Sequence, residues 1–172
     1  MNRTKLIPIA VSLCACVTSL GEPRTKTIDE QAKKMSKAGQ RGDYETLVGL
    51  TYPALVQQFG NRAKMIEVMK TAAQETAASG VKMVGAKVGS ATKPIPSQGK
   101  LFSIVPTVNG MTAPNARITQ KFLLAISSDN GRTWSFIEGS GISPGLLSKV
   151  LPDFPSEMRL PVVEKPIIRQ AR

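Results

Sequence analysis

Beyond its first two dozen residues the chain changes its hydrophobic period once. Apolar positions recur every three to four residues as far as Gly80 and every second residue after it, so helices precede strands. Thr27 with Glu30 three residues on forms a capping box ahead of Ile28, Ala32, Met35 and Ala38, and Gly39 and Gly42 interrupt that helix. Asp43 caps a second helix bearing Tyr44, Leu47, Val48, Thr51, Leu55 and Phe59; its interior Pro53 predicts a break near Tyr52, and Gly60 ends it. Asn61 caps a third, with Met65, Ile66, Met69, Ala73 and Ala77 on one face and Gly80 as its stop.

Alternation then predicts strands over 81–89, 100–109, 116–127 and 133–138, with 91–99 a loop around Pro94 and Pro96, and a short helix over 146–151. Pro152, Pro155, Pro161 and Pro166 argue against any regular element in the basic tail 152–172, which is expected to lie extended over the domain or stay free of it. Helices followed by a meander define an α+β fold: three N-terminal helices on an antiparallel sheet of about four strands, spanning 27–151.

The last hairpin permits a finer prediction. Ser127-x-Asp129-x-Gly131-x-Thr133-Trp134 fits the Asp-box turn repeated in sialidase propellers, but one copy on 172 residues builds no propeller. Asp129 and Ser127 are expected to accept backbone hydrogen bonds across the turn, with Gly131 at positive φ. A two-residue loop would set Ser127 opposite Trp134; a three-residue loop would set Ile126 opposite Trp134 and Leu124 opposite Phe136. The second gathers the large apolar residues and is the predicted register. It puts Ile118, Phe122, Leu124, Ile126, Trp134 and Phe136 on one core face, with Gln120 and Glu138 interrupting it at the end away from the turn.

Composition narrows the chemistry. With no histidine, every imidazole-based acid, base or metal ligand is excluded, and neither a metal nor a cofactor is expected. Twenty-three Lys+Arg against twelve Asp+Glu give a net charge of +11. The charges are mostly interleaved with apolar and acidic residues. The densest group, Lys33, Lys34, Lys37 and Arg41, reads as a solvated helix face, and no aromatic side chains accompany it for base stacking, so nucleic acid is not an expected partner. Arg41-Gly42-Asp43 spells an integrin-binding tripeptide, but a helix connection needs Gly and an N-cap at that point.

Residues 1–21 read as a secretory signal: Arg3 and Lys5, the apolar run Leu6 to Leu13, then small residues and Gly21-Glu22-Pro23. The run is too short to span a bilayer, which takes about 20 helical residues. Leu13-Cys14-Ala15-Cys16 matches a bacterial lipobox with Cys16 as the lipidation site; cleavage after Ser19 or Gly21 is the alternative. Both cysteines fall in this segment, so the folded domain is expected to lack a disulfide. The expected product is a periplasmic or cell-envelope domain, held at a membrane only through a lipid on Cys16, because Arg24, Lys26, Lys33 and Lys34 are scattered along the sequence.

Gly42-Asp43-Tyr44-Glu45-Thr46-Leu47-Val48, the helix break at Tyr52-Pro53, and Leu123 to Phe136 with its Ser-Ser-Asp-Asn-Gly-Arg-Thr-Trp turn resemble bacterial exported domains of the NTF2-like (SnoaL-like) superfamily, over roughly 28–139. The resemblance implies a cone in which helices close over a curved sheet around a pocket, and a plausible homodimer through the outer sheet face. Members include isomerases, cyclases, dehydratases and binding modules, so the fold leaves function open. The His–Asp pair of dehydratase-like members is impossible here, and no catalytic position carries over residue by residue. The expected pocket lining is Gln120, Phe122, Trp134, Phe136 and Glu138 with Tyr44, Tyr52, Met65 and Met69, although packing of both tyrosines at the helix break is the simpler expectation for them. Two classes follow: a non-catalytic envelope module binding a small molecule or protein partner, and, as the alternative, an isomerase- or cyclase-type enzyme with Glu138 as general acid or base in an apolar pocket.

Overall fold

The helix breaks fall where proline, glycine and capping residues put them. A computed structural model of the chain describes residues 22–112, 116–163 and 167–169; the signal segment and Cys16 lie outside the described residues. Helix α1 (Glu22–Arg41) gives way at Gly42, whose φ of +68° a side chain would resist. Asp43 caps α2 (Tyr44–Leu50) by accepting from the Thr46 amide at 3.0 Å. Pro53 sits in the first turn of α3 (Pro53–Gln58), so the predicted break at Tyr52 separates two helices. Asn61 caps α4 (Arg62–Ala78) through the Lys64 amide at 2.9 Å. One boundary is corrected: α1 already runs from Glu22, which puts Thr27 and Glu30 inside the helix, and Gly39 does not interrupt it.

Among the described residues six strands form one antiparallel sheet: β1 (Lys82–Val88), β2 (Ile95–Ser97), β3 (Lys100–Thr112), β4 (Ala116–Ser127), β5 (Ser135–Glu138) and β6 (Ile167–Arg169). The order β1-β3-β4-β5 is the expected meander. A long β3–β4 pair forms its centre, and short strands lie end to end on either side: β1 and β2 on β3, β5 and β6 on β4. Two loop predictions are thereby corrected. Ile95 to Ser97 finds strand partners on β3, and the Pro-rich tail contributes β6, whose three residues follow its last proline, Pro166, and so keep their amides for the ladder. A single 3-10 turn (Gly139–Gly141) and α5 (Pro144–Val150) complete the chain's regular elements among the described residues. Among the described residues no helix is long and apolar enough to cross a membrane.

Both faces of the sheet are buried, which decides the hairpin register. On the inner face Leu101, Val105, Leu123, Ala125, Trp134 and Phe136 pack with Ile28, Ala32 and Met35 of α1. On the outer face Phe102, Ile104, Phe122, Leu124, Ile126 and Ile137 pack beneath Tyr52, Leu151 and Met158, with Phe154 edge-on to Phe102 at 5.9 Å. The segment after α5 therefore lies over the domain. The predicted pairing of Leu124 with Phe136 is off by one residue: the observed partners are Leu124 with Ile137, Ala125 with Phe136 and Ile126 with Ser135. Each strand thus sends large side chains to both faces, and gathering them on one was the wrong criterion.

The turn itself behaves as the motif implies. Asp129 accepts from the Arg132 and Thr133 amides and from the Thr133 hydroxyl, Ser127 Oγ accepts from the Gly131 amide at 2.9 Å, and Trp134 Nε1 donates to the Gly131 carbonyl at 3.2 Å. Hydrogen bonds from the Thr133 hydroxyl and amide, then from Ser127, hold the Asp129 carboxyl far below the ordinary carboxylate range. Asn130 at φ +60° and Gly131 at +88° let the chain reverse.

Candidate functional site

Between the helical layer and the inner face of the sheet lies a half-open hollow of about 440 Å³. Helices α1, α2 and α4 roof it with Met35, Leu47, Met65 and Met69, Leu55 of α3 and Leu146 of α5 add to its wall, and Phe59 stays 40% exposed at its rim. Ala86, Thr107, Asn109, Lys121, Leu123, Phe136 and Glu138 line it from the sheet. The hollow follows from the fold: α1 closes on the Leu101, Val105 and Ala125 end of the inner face, while at the other end flexible methionines of α4 reach toward the sheet without filling the space.

Its charge is concentrated in one pair. Lys121 Nζ lies 2.6 Å from Glu138 Oε1, and the Ser140 hydroxyl donates to the same oxygen at 2.8 Å. Glu138 pairs with Leu123 across the ladder, so Lys121, two residues along β4, reaches it diagonally on the same face. The Lys121 side chain is 19% exposed and that of Glu138 50%, which places the carboxylate at the mouth rather than in an apolar recess.

Four of the nine expected lining residues are here: Phe136, Glu138, Met65 and Met69. The other five are elsewhere. Phe122 is on the outer face beneath Gly139. Gln120 is exposed. Trp134 packs in the inner core against α1 without lining the hollow, Tyr44 packs on Val48, Met65 and Ile66, and Tyr52 joins the outer core. The one-residue register error accounts for Phe122 and Gln120, because a slip of one sends each side chain to the opposite face. Lys121 was missed for the same reason, and Thr107 and Asn109 follow from the pairing of β3 with β4, which sets Thr107 opposite Lys121. The signal that exposes them is the unbroken apolar run Phe122 to Ile126, the mark of a strand covered on both sides.

A second polar cluster pins the tail to the outer face. Lys100 Nζ lies 2.7 Å from Asp153 Oδ2 and donates to the Tyr52 hydroxyl at 3.0 Å. Asp153 is 7% exposed, and its other oxygen is buried without a hydrogen-bond partner among the described residues. Burial pulls the Lys100 ammonium down, but the bonds to Asp153 and Tyr52 outweigh it and leave the group raised above its ordinary value. Among the described residues no group of three or more acidic or thiol side chains could hold a metal ion. In comparisons with known proteins, no family model, curated protein or solved structure matches this chain.

Proposed function

We propose that this chain is an exported, non-catalytic envelope domain of NTF2-like type whose hollow binds a small amphipathic molecule, apolar along its body and polar at the end that meets Lys121 and Glu138. The observation that carries the reading is the hollow itself: about 440 Å³, within the usual ligand range, with a mostly apolar lining and a single ion pair. A helical layer over one face of an antiparallel meander is what the NTF2-like resemblance calls for. The enzyme alternative needs Glu138 desolvated and a second positioned group; instead its carboxylate is half exposed and already taken by Lys121 and Ser140.

The test uses cis-parinaric acid, a carboxylate with an apolar polyene chain that fluoresces when withdrawn from water. Saturable one-to-one binding is expected, at least about tenfold weaker in Met69→Trp, where an indole occupies the hollow, with the thermal midpoint of the variant unchanged. Equal binding by both proteins, or none by either, would overturn the reading. Export has its own measurement. In the native host the wild type is expected in the membrane fraction with a diacylated N-terminal Cys16, and Cys16→Ser in the soluble fraction. Unmodified wild type beginning beyond Cys16 in the soluble fraction would leave a periplasmic domain without an anchor.

A further inference from the structure

We propose that the exposed face of α1 is a docking surface for an anionic phospholipid bilayer. The sequence spreads its basic residues among apolar ones, but the helix sorts them. Lys26, Lys33, Lys34, Lys37 and Arg41 are all exposed, while Ile28, Ala32, Met35 and Ala38 are buried against the sheet. At 3.6 residues per turn those five cations fall along one stripe about 22 Å long, with a single carboxylate, Glu30, among them. Four of the five line one shallow groove between α1 and the start of α2, together with Glu30, Asp43 and Thr46. Asp43 is occupied there, capping α2 through the Thr46 amide.

The stripe lies on one helix and contains no aromatic side chain on which a nucleobase could stack, which favours an anionic surface over a single-stranded nucleic acid. Its N-terminal end is also the end that continues into residues 1–21. If Cys16 becomes a lipidated N-terminus, it lies six positions before the start of α1 at Glu22, a reach of at most about 22 Å, so the basic face would be confined near the headgroups. Each cation near an anionic leaflet adds a favourable increment that salt screens, and five on one face act together where the same number spread over the surface do not. The docking surface is independent of what the hollow binds.

The experiment is vesicle co-sedimentation of the unacylated full chain with vesicles of about one-third phosphatidylglycerol in phosphatidylcholine, from about 0.05 to about 0.5 M salt. The quadruple variant Lys33→Gln, Lys34→Gln, Lys37→Gln, Arg41→Gln is compared with a control that removes four exposed charges elsewhere: Lys64→Gln, Lys70→Gln, Lys87→Gln, Lys149→Gln. The wild type is expected to bind in a salt-sensitive way, the stripe variant at least about tenfold more weakly, and the control within about twofold of wild type. If the quadruple variant fails to fold by circular dichroism, Lys33→Gln with Lys37→Gln serves instead, with a loss of at least about threefold expected. Equal losses in stripe and control variants would reduce the effect to net charge and overturn the proposal. So would wild type that ignores these vesicles, or that prefers an oligothymidylate to them.

Discussion

Lys100→Met is expected to be among the most damaging single changes this domain can suffer, costing about 3–5 kcal/mol in urea unfolding. Methionine keeps the stem's apolar contacts and removes the ammonium, so the loss reports charge. It leaves Asp153 7% exposed with no partner for either carboxylate oxygen, because Oδ1 already has none among the described residues and Oδ2 depends on Lys100. The Tyr52 hydroxyl loses its bond in the same step. A buried carboxylate stripped of its counter-charge must protonate or reach water, and reaching water lifts the segment that carries Phe154 and Met158 off the outer sheet face. Accelerated proteolysis after Leu151 should accompany the lower midpoint. The double variant with Asp153→Leu, in which neither charge remains, should recover most of the loss, since replacing both partners removes the desolvation cost along with the pair. A Lys100→Met protein as stable as wild type would show that the tail is held by apolar packing alone.

The same pair gives the stability a defined pH dependence. Because the folded-state pKa of Lys100 is raised above 10.5, the pair's contribution is fully present below that pH and is lost as pH rises through the folded value. The stability gap between wild type and Lys100→Met should therefore be constant from neutral pH to about 10 and narrow above it. Taking the difference between the two proteins cancels the titrating groups that do not touch Lys100.

Local rules carried most of the architecture. Asp43, Asn61, Pro53 and Gly42 each act within a turn of their own position, which is why the helix breaks were legible without any tertiary information. The strands were legible as a meander for the same reason. What failed was a question of which layer covers which face. The predicted register gathers the large apolar residues of the hairpin on one face, as though the sheet had a single core side. In fact Leu151, Phe154 and Met158 cover the second face, and the register that puts Ser127 level with Trp134 becomes the favourable one. The candidate site inherited that error wherever it depended on strand parity, as at Phe122 and Gln120. It escaped where it depended on helix faces, as at Met65 and Met69. Lys121 was missed because its diagonal reach to a glutamate on the next strand follows only from the register, which the apolar run Phe122 to Ile126 signals indirectly, by marking a strand covered on both faces.

Gly139→Val should destabilise the fold by about 3 kcal/mol, for a reason of space alone. Gly139 opens the 3-10 turn that follows β5 and is buried over the Phe122 ring, so close that a single added carbon would overlap the ring. Phe122 cannot retreat: it is 2% exposed, in the outer core with Leu124, Ile137 and Leu151. A branched side chain must therefore either force the ring out of its rotamer or lift the turn. The two responses are separable. Gly139→Val with Phe122→Ala removes the overlap, and a double-mutant cycle should give a favourable coupling of at least about 1 kcal/mol, because valine then occupies part of the space the ring vacates. Additive losses would mean that the overlap is relieved elsewhere and that close packing at Gly139 is not what holds the turn. Lifting the turn also has a consequence on the other side of the sheet. Glu138 and Ser140 flank Gly139, so a displaced turn draws both away from Lys121 and opens the mouth of the hollow. At temperatures where Gly139→Val is still folded, its affinity for cis-parinaric acid should fall, and the cycle partner Phe122→Ala should restore it.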